Sequence, residues 1–305
     1  MSKTPPPDFI VVGLQRAGSS WVTAFLSGHS EIICIPTLYG EQTGAGEGHI
    51  FDNLAKMKED GGKACIYSFS HYHNDFFANL IPLIEKKVNK KELYKAFRER
   101  YNLWCDAQRK KTGKRLAGEK TTEYVFCLDL IDEFYPGIKK LCIFRDPRDR
   151  VVSFHFHKLR RNQKKEKKIT DAYTKNYCQT RIKPEYESLL AYSGNIHCFT
   201  YEQMTSDPKT TLRNILKYLG AETSDKIIKT MIKQGSFESV TERDQIAKDG
   251  KRKRGQESLK SHYRKGIVED WKNHLTKKQV AIIKQELSSL QKKVCKKYNL
   301  PQYNV

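Results

Sequence analysis

The sequence predicts an α/β chain with a central, mainly parallel β-sheet flanked by helices, and two observations carry that expectation. Short apolar runs bounded by proline, glycine or charge recur at DFIVVGL, EIICIP, KKLCIF and NIHCFTY. Segments with helical spacing, such as WVTAFLSG and LRNILKYLG, stand beside them. That alternation is what parallel strands joined by crossover helices require. With 305 residues, 38% of them hydrophobic, the chain can bury a sizeable core, and one domain over 1–305 is expected.

The first run, Asp8 to Leu14, leads into GLQRAGSSW, Gly13 to Trp21, where two glycines have four residues between them. A strand, a tight turn and a helix beginning near Ser19 aim backbone N–H groups and the positive helix end at one point, which suits a phosphate-like anion. The lysine of a triphosphate-binding loop is missing after Gly18, which argues against triphosphate hydrolysis. The cation is instead Arg16, inside the loop. EIICIP reads as a second short strand. Further on, KKLCIF delivers Arg145 at a strand's carboxyl end, and DPRDRVVSF opens a helix with Asp146 as N-cap and Pro147 in the first turn. Ser153 follows Arg145 by eight residues, so the two side chains are placed to converge on one phosphate. Two charge-dense stretches, 159–176 and 242–266, interrupt the pattern and are expected as mobile loops, since they have little apolar surface to bury.

Fifty-six Lys and Arg against thirty-five Asp and Glu give a formal charge of +21. That surplus attracts polyanions, anionic membrane surfaces or phosphorylated and sulfated small molecules. The basic run at 251–254 has no nucleic-acid motif or aromatic platform beside it, so nucleic acid is not an expected partner. No run approaches the roughly 18 apolar residues of a membrane span, and MSKTPPPDF lacks a signal-peptide core, so a cytoplasmic protein is expected. Eight scattered cysteines without a C-x-x-C pair read as reduced core residues. No cluster has metal-ligand spacing, and no metal is implied.

Taken together, GLQRAGSSW and CIFRDPRDRVVSF resemble the sulfotransferases that use 3′-phosphoadenosine 5′-phosphosulfate. Their P-K-S-G-T-T-W loop corresponds to Gln15, Arg16, Ala17, Gly18, Ser19, Ser20 and Trp21, with Arg16 replacing the usual lysine. The resemblance implies a P-loop-like fold, contacts from this loop to the 5′-phosphosulfate, Trp21 on adenine, and Arg145 with Ser153 on the 3′-phosphate. HYRKGIVEDWKNHLT, His262 to Thr276, is similar to the cytosolic F-M-R-K-G-x-x-x-D-W-K-N-H segment, which implies that Arg264, Lys265 and Gly266 cover the 3′-phosphate. GSFES resembles the T-S-F segment near adenine, bringing in Ser236 and Phe237, with Gly235 for the threonine. FTYEQMTSDP resembles the Y-E-D-M stretch and offers Tyr201.

The acceptor side resembles a different branch. GEGHIFD is similar to the E-P-H-F-F-D of glycan sulfotransferases, which implies Glu47 as general base. His49 is its competitor, and as base would titrate near neutral pH. Glu123 and His73 come next. GEKTTEY resembles E-K-T-P-x-Y, which implies Lys120 as a contact to acceptor and sulfuryl group, and Thr122 stands where the cytosolic branch has its histidine. The resemblance thus implies sulfuryl transfer, without metal, to a hydroxyl or amine of a sugar, lipid or small metabolite, releasing adenosine 3′,5′-bisphosphate. The cytosolic dimer motif survives only as Lys272 and Thr276, so oligomeric state stays open. Two other classes also remain: a P-loop kinase of a small acceptor, which needs magnesium, and a basic module that only binds a polyanion.

Overall fold

The computed structural model describes residues 4–34, 47–60, 63, 80–162, 168–244 and 247–303. Its centre is a five-stranded sheet in the order β2-β3-β1-β4-β5, built from β1 (Phe9–Gly13), β2 (Ile32–Cys34), β3 (Leu116–Lys120), β4 (Lys139–Phe144) and β5 (His197–Thr200). Every neighbouring pair is parallel. The four apolar runs coincide with β1, β2, β4 and β5, and β3 comes from the less apolar LAGEK. Helices cover both faces, so the middle strand is sealed: Phe9, Ile10, Val11 and Val12 have no exposed surface. Burial of a strand on both faces is why its sequence is continuously apolar rather than alternating.

Parallel pairing also puts the carboxyl ends of all strands on one edge. Val11 lies opposite Lys120 on one side and Leu141 on the other, which carries the residues after Gly13, Lys120, Phe144 and Thr200 to a common rim. Ligands of open α/β sheets bind at such a rim, where the strand order changes direction.

Local chemistry fixes the flanking helices. Lys90–Thr112 starts on Asn89, whose Oδ1 accepts from the Glu92 amide at 3.0 Å, and stops at Gly113 in the left-handed region. Pro147–Asn162 starts as the sequence suggests, with Asp146 Oδ1 accepting from the Arg148 amide at 2.8 Å. Thr276 and Gln279 form a reciprocal capping box for Lys277–Lys297, so this remnant of the dimer motif has a local role within the chain. Of the stretch 159–176, residues 159–162 complete the Pro147–Asn162 helix. Residues 171–177 form a helix that buries Thr174 and Tyr177, because its tyrosines have apolar surface that the charge count conceals. Residues 247–266 contain no regular element but are tied down: Arg252 donates to the carbonyls of Gln256, Tyr263 and Arg264, and Arg254 to that of Gly266. None of the helices among the described residues is long and apolar enough to cross a membrane.

Candidate active site: a cationic cleft at the strand ends

The loop after β1 folds around its glycines. A Cβ on Gly13 would lie 2.3 Å from that of Ser19, and Gly18, at φ 104°, approaches the Tyr201 ring so closely that a Cβ would be 2.8 Å away. Both positions therefore exclude side chains. The helix Ser19–Ser27 then begins with no side-chain cap on its first turn. Arg16, itself at φ 64°, extends along the rim and donates from Nε to Ser153 Oγ at 3.2 Å. Burial, followed by the nearby Arg160 guanidinium, lowers the Arg16 pKa to about 10. A site that disfavours its own cation in this way favours an incoming anion.

These residues line a cleft of about 620 Å³ together with Arg145, Tyr201, Phe237, Arg264, Lys265 and Gly266. Arg145 lies over the Tyr201 ring at 4.3 Å and donates to the Ile267 carbonyl at 3.1 Å, with Asp149 at 3.6 Å; its buried Nε has no partner among the described residues. Arg145 and Ser153 both reach the cleft as the spacing suggests, but the side chain bonded to Ser153 is Arg16. Arg264 and Lys265 are held by Asp270 and Glu257. Gly266, at φ 68°, packs on Phe237, where a Cβ would come within 2.3 Å of the ring. Trp21, Tyr201 and Phe237 are 3–6% exposed and present little more than their edges. Trp21 Nε1 donates to the Gly235 carbonyl at 2.6 Å. A side chain at 235 would meet the Phe25 ring at 2.3 Å, which is why glycine stands there.

Two residues expected at the site play other parts. Ser236 caps the helix Phe237–Glu242 by accepting from the Ser239 amide at 3.2 Å. Ala17 is fully buried and closes the turn through its amide, 3.0 Å from the Leu14 carbonyl.

On the opposite wall, Glu47 accepts from Lys120 Nζ at 2.8 Å and from Thr122 Oγ1 at 3.3 Å, and lies 3.2 Å from His49 Nε2. Lys120 is 3% exposed and stands behind Glu47, which lines the cleft. Burial alone would raise the Glu47 pKa, but Lys120 and His49 outweigh it and hold the carboxyl well below its usual range. His49 is clasped by two carboxylates, with Asp52 Oδ2 2.9 Å from Nδ1. Against the lowering effect of burial, Asp52 and Glu47 lift its pKa to about 10. This differs from the near-neutral titration expected of His49: at pH 7 the ring is an imidazolium with no lone pair to offer as base. Glu123 is held by Arg181 at 2.7 and 3.0 Å. His73 lies outside the described residues.

Sequence reasoning did not find His157, Arg160, His262 and Arg254, which also line the cleft. A signal existed for the first two: 153, 157 and 160 fall on one helix face. Arg254, part of the basic run, sits over the Trp21 ring at 5.2 Å. Nor did it find Glu119, fully buried beneath Gly48.

A family model described as the sulfotransferase domain matches residues 6–294. The chain belongs to this family. Among curated relatives, an Arabidopsis thaliana protein named cytosolic sulfotransferase 17 is 31% identical over 165 residues, 48% of this chain and 47% of that protein. The chain spans about half the length of the curated relatives it matches. The fold is that of solved sulfotransferases. A structure from Alicyclobacillus acidocaldarius aligns over 97% of both chains, with a TM-score of 0.54 and 14% identity. A retinol dehydratase in complex with androsterone and the inactive cofactor PAP aligns over 99% of this chain and 85% of its own, with a TM-score of 0.55 and 15% identity. In this member of the family the P-loop-like turn, the Arg145 helix and the 264–266 segment meet in one cleft with Glu47, which Lys120 holds from behind.

Proposed function

We propose that this sulfotransferase moves the sulfuryl group of 3′-phosphoadenosine 5′-phosphosulfate to a hydroxyl or amine of a small-molecule or glycan acceptor by in-line displacement. The observation that carries the reading is the Arg16 to Ser153 bond, which joins the anion-binding turn to the Arg145 helix within the cleft that Glu47 faces. The residues present suit such a donor: a helix end without a side-chain cap, an orphaned buried Arg145 Nε, and an Arg16 whose charge is disfavoured until an anion arrives.

Arg145, Ser153, Arg264 and Lys265 would hold the 3′-phosphate; the turn amides, Ser19, Ser20 and Arg16 the phosphosulfate; and the edges of Trp21, Tyr201 and Phe237 the adenine. Bound there, the donor supplies an activated sulfuryl group and departs as adenosine 3′,5′-bisphosphate. Glu47 takes the acceptor proton. In the present arrangement it is a weak base because Lys120 neutralises it. A Lys120 ammonium that turns to the sulfuryl oxygens both offsets charge there and returns basicity to Glu47. His49, fixed by Asp52, orients the carboxylate. Buried free cysteines, among them Cys105 and Cys142, and the relatives named cytosolic support a reducing cytoplasmic setting.

Incubation with sulfur-labelled donor and a panel of alcohols, amines and sugars tests the reading. Label should pass to an acceptor in step with release of the bisphosphate. Magnesium-dependent phosphate transfer from ATP to the same panel would replace it with a kinase.

A further inference from the structure

Beyond the residues given to the donor, the cleft carries cations that have no carboxylate to hold them. The Pro147–Asn162 helix lines it with Ser153, then His157, then Arg160 and Arg161. At about 1.5 Å of rise per residue, the Arg160 backbone lies roughly 10 Å beyond that of Ser153 along the helix axis, and its guanidinium meets Arg16, which bonds Ser153, only across His157 Nδ1. The Arg160 guanidinium donates to the Ser261 carbonyl at 2.7 Å, to His157 Nδ1 at 2.9 Å and to His262 Nδ1 at 3.5 Å, all of them neutral partners. No carboxylate among the described residues lies within ion-pair distance of it or of Arg161. Asp244, whose field it feels, is engaged by the Ser261 hydroxyl.

The two imidazoles complete the picture through their tautomers. His157 Nδ1 receives hydrogen bonds from Arg160 and, at 3.5 Å, from Arg16, and His262 Nδ1 receives one from Arg160. With Nδ1 accepting, each neutral ring carries its proton on Nε2 and can only donate there. Neither Nε2 has a partner among the described residues. The field around them is positive. Burial, then Arg16 and Arg160, pushes His157 down to about 3, and burial, Arg16, Arg160, Lys120 and His157 push His262 well below its usual value. The wall is therefore made of N–H donors and fixed positive charge, and the carboxylates lining the cleft, Glu47 and Glu123, are already held by Lys120 and Arg181.

We infer that this wall is an acceptor subsite for an oxyanion, so that the acceptor carries a carboxylate, phosphate or sulfate group beside the hydroxyl or amine to be sulfated, held by Arg160, Arg161 and the Nε2–H groups of His157 and His262. The inference rests on the donor reading above. A neutral acceptor leaves these donors facing solvent, whereas an acidic one gains charge-assisted hydrogen bonds and is oriented by them.

The test uses the full chain saturated with adenosine 3′,5′-bisphosphate, and follows the melting temperature at constant ionic strength. The probes are D-glucose, D-glucuronate, D-glucose 6-phosphate and inorganic phosphate, against chloride. The anions should add a further upward shift and glucose should not; the contrast between glucuronate and the phosphates reports which oxyanion fits. Arg160→Ala should weaken the anion roughly tenfold or more while changing bisphosphate affinity less than threefold. His157→Phe, which leaves the Ser261 contact in place, should weaken it in the same direction and covers the case in which Arg160→Ala fails to fold. No shift beyond chloride from any anion overturns the inference, as does an equal shift in both variants, which would put the anion against Arg16 alone. Absence of any stabilisation by the bisphosphate itself would instead remove the donor reading.

Discussion

Glu119→Gln is expected to abolish a stability loss that the wild-type protein undergoes between mildly acidic and neutral pH. Glu119 stands in β3 beside Lys120 with no exposed surface. Its Oε1 accepts from Tyr101 at 2.8 Å and Tyr124 at 2.6 Å, while Oε2 has no partner among the described residues and lies against Gly48, where a Cβ would be 1.9 Å away. Burial raises its carboxyl from 4.5 to about 7 despite the two hydroxyls. A carboxyl raised on folding binds its proton more tightly in the native state. Its contribution is therefore fully present below the unfolded pKa and is lost as pH rises through the folded one. The difference of about 2.5 pH units, at about 1.4 kcal/mol each, amounts to roughly 3 kcal/mol lost between pH 4.5 and 7. That is a large share of a typical 5–15 kcal/mol total. Glutamine keeps an acceptor for both tyrosines and cannot ionise. Urea unfolding of both proteins at intervals from pH 4.5 to 8 is the assay, read as the difference between them, so that the opposing titration of His157 and that of His49 cancel. The variant should gain on the wild type by about 3 kcal/mol across the window. A difference that stays flat to within about 1 kcal/mol would mean that burial does not hold the proton on Glu119.

Arg145→Ala should cost about 1.5–3 kcal/mol of affinity for adenosine 3′,5′-bisphosphate and leave adenosine 5′-monophosphate nearly untouched, as measured by calorimetry. Glu47→Gln should retain bisphosphate binding and lower turnover by about 10² to 10⁴. A rate near that of the wild type would move the base elsewhere. Because His49 keeps its proton up to about pH 10, the wild-type rate should show no histidine ionisation near pH 6.5, and its stabilisation of Glu47 should fade only as pH rises towards 10. A step near 6.5 that disappears in His49→Asn would contradict this. Gly235→Thr, which restores the residue of the resembling motif, should destabilise the protein by about 1–3 kcal/mol in urea through collision with Phe25; unchanged stability would mean that the ring moves aside freely.

The fold was legible because β1 and β4, inside the sheet, are buried on both faces and spell continuous apolar runs, while the edge strands β2 and β5 spell shorter ones. β3 was harder, since LAGEK carries Glu119 and Lys120 into the interior, where tyrosine hydroxyls and Glu47 compensate them, and no local pattern announces those partners. The glycines of the first turn, Arg145, Ser153 and the 264–266 segment stood out as motifs because each lies within a short local stretch, and the structure brings those stretches to one cleft. What the spacing did not carry was pairing between distant segments. That Arg16 rather than Arg145 bonds Ser153, that Lys120 is spent on Glu47, and that Asp52 fixes His49 in its charged form all depend on side chains from separate elements meeting at the rim. Ser236, which its motif places near adenine, caps a helix, a role that short polar side chains favour at helix starts.

The proposed function requires that the cleft take a nucleotide carrying a 3′-phosphate. Calorimetric titration of the protein with adenosine 3′,5′-bisphosphate, and in parallel with adenosine 5′-monophosphate and with ATP plus magnesium, tests it most directly. The bisphosphate should bind at least tenfold more tightly than either competitor, about 1.4 kcal/mol or more. Equal affinity for all three, or a preference for ATP with magnesium, would contradict it.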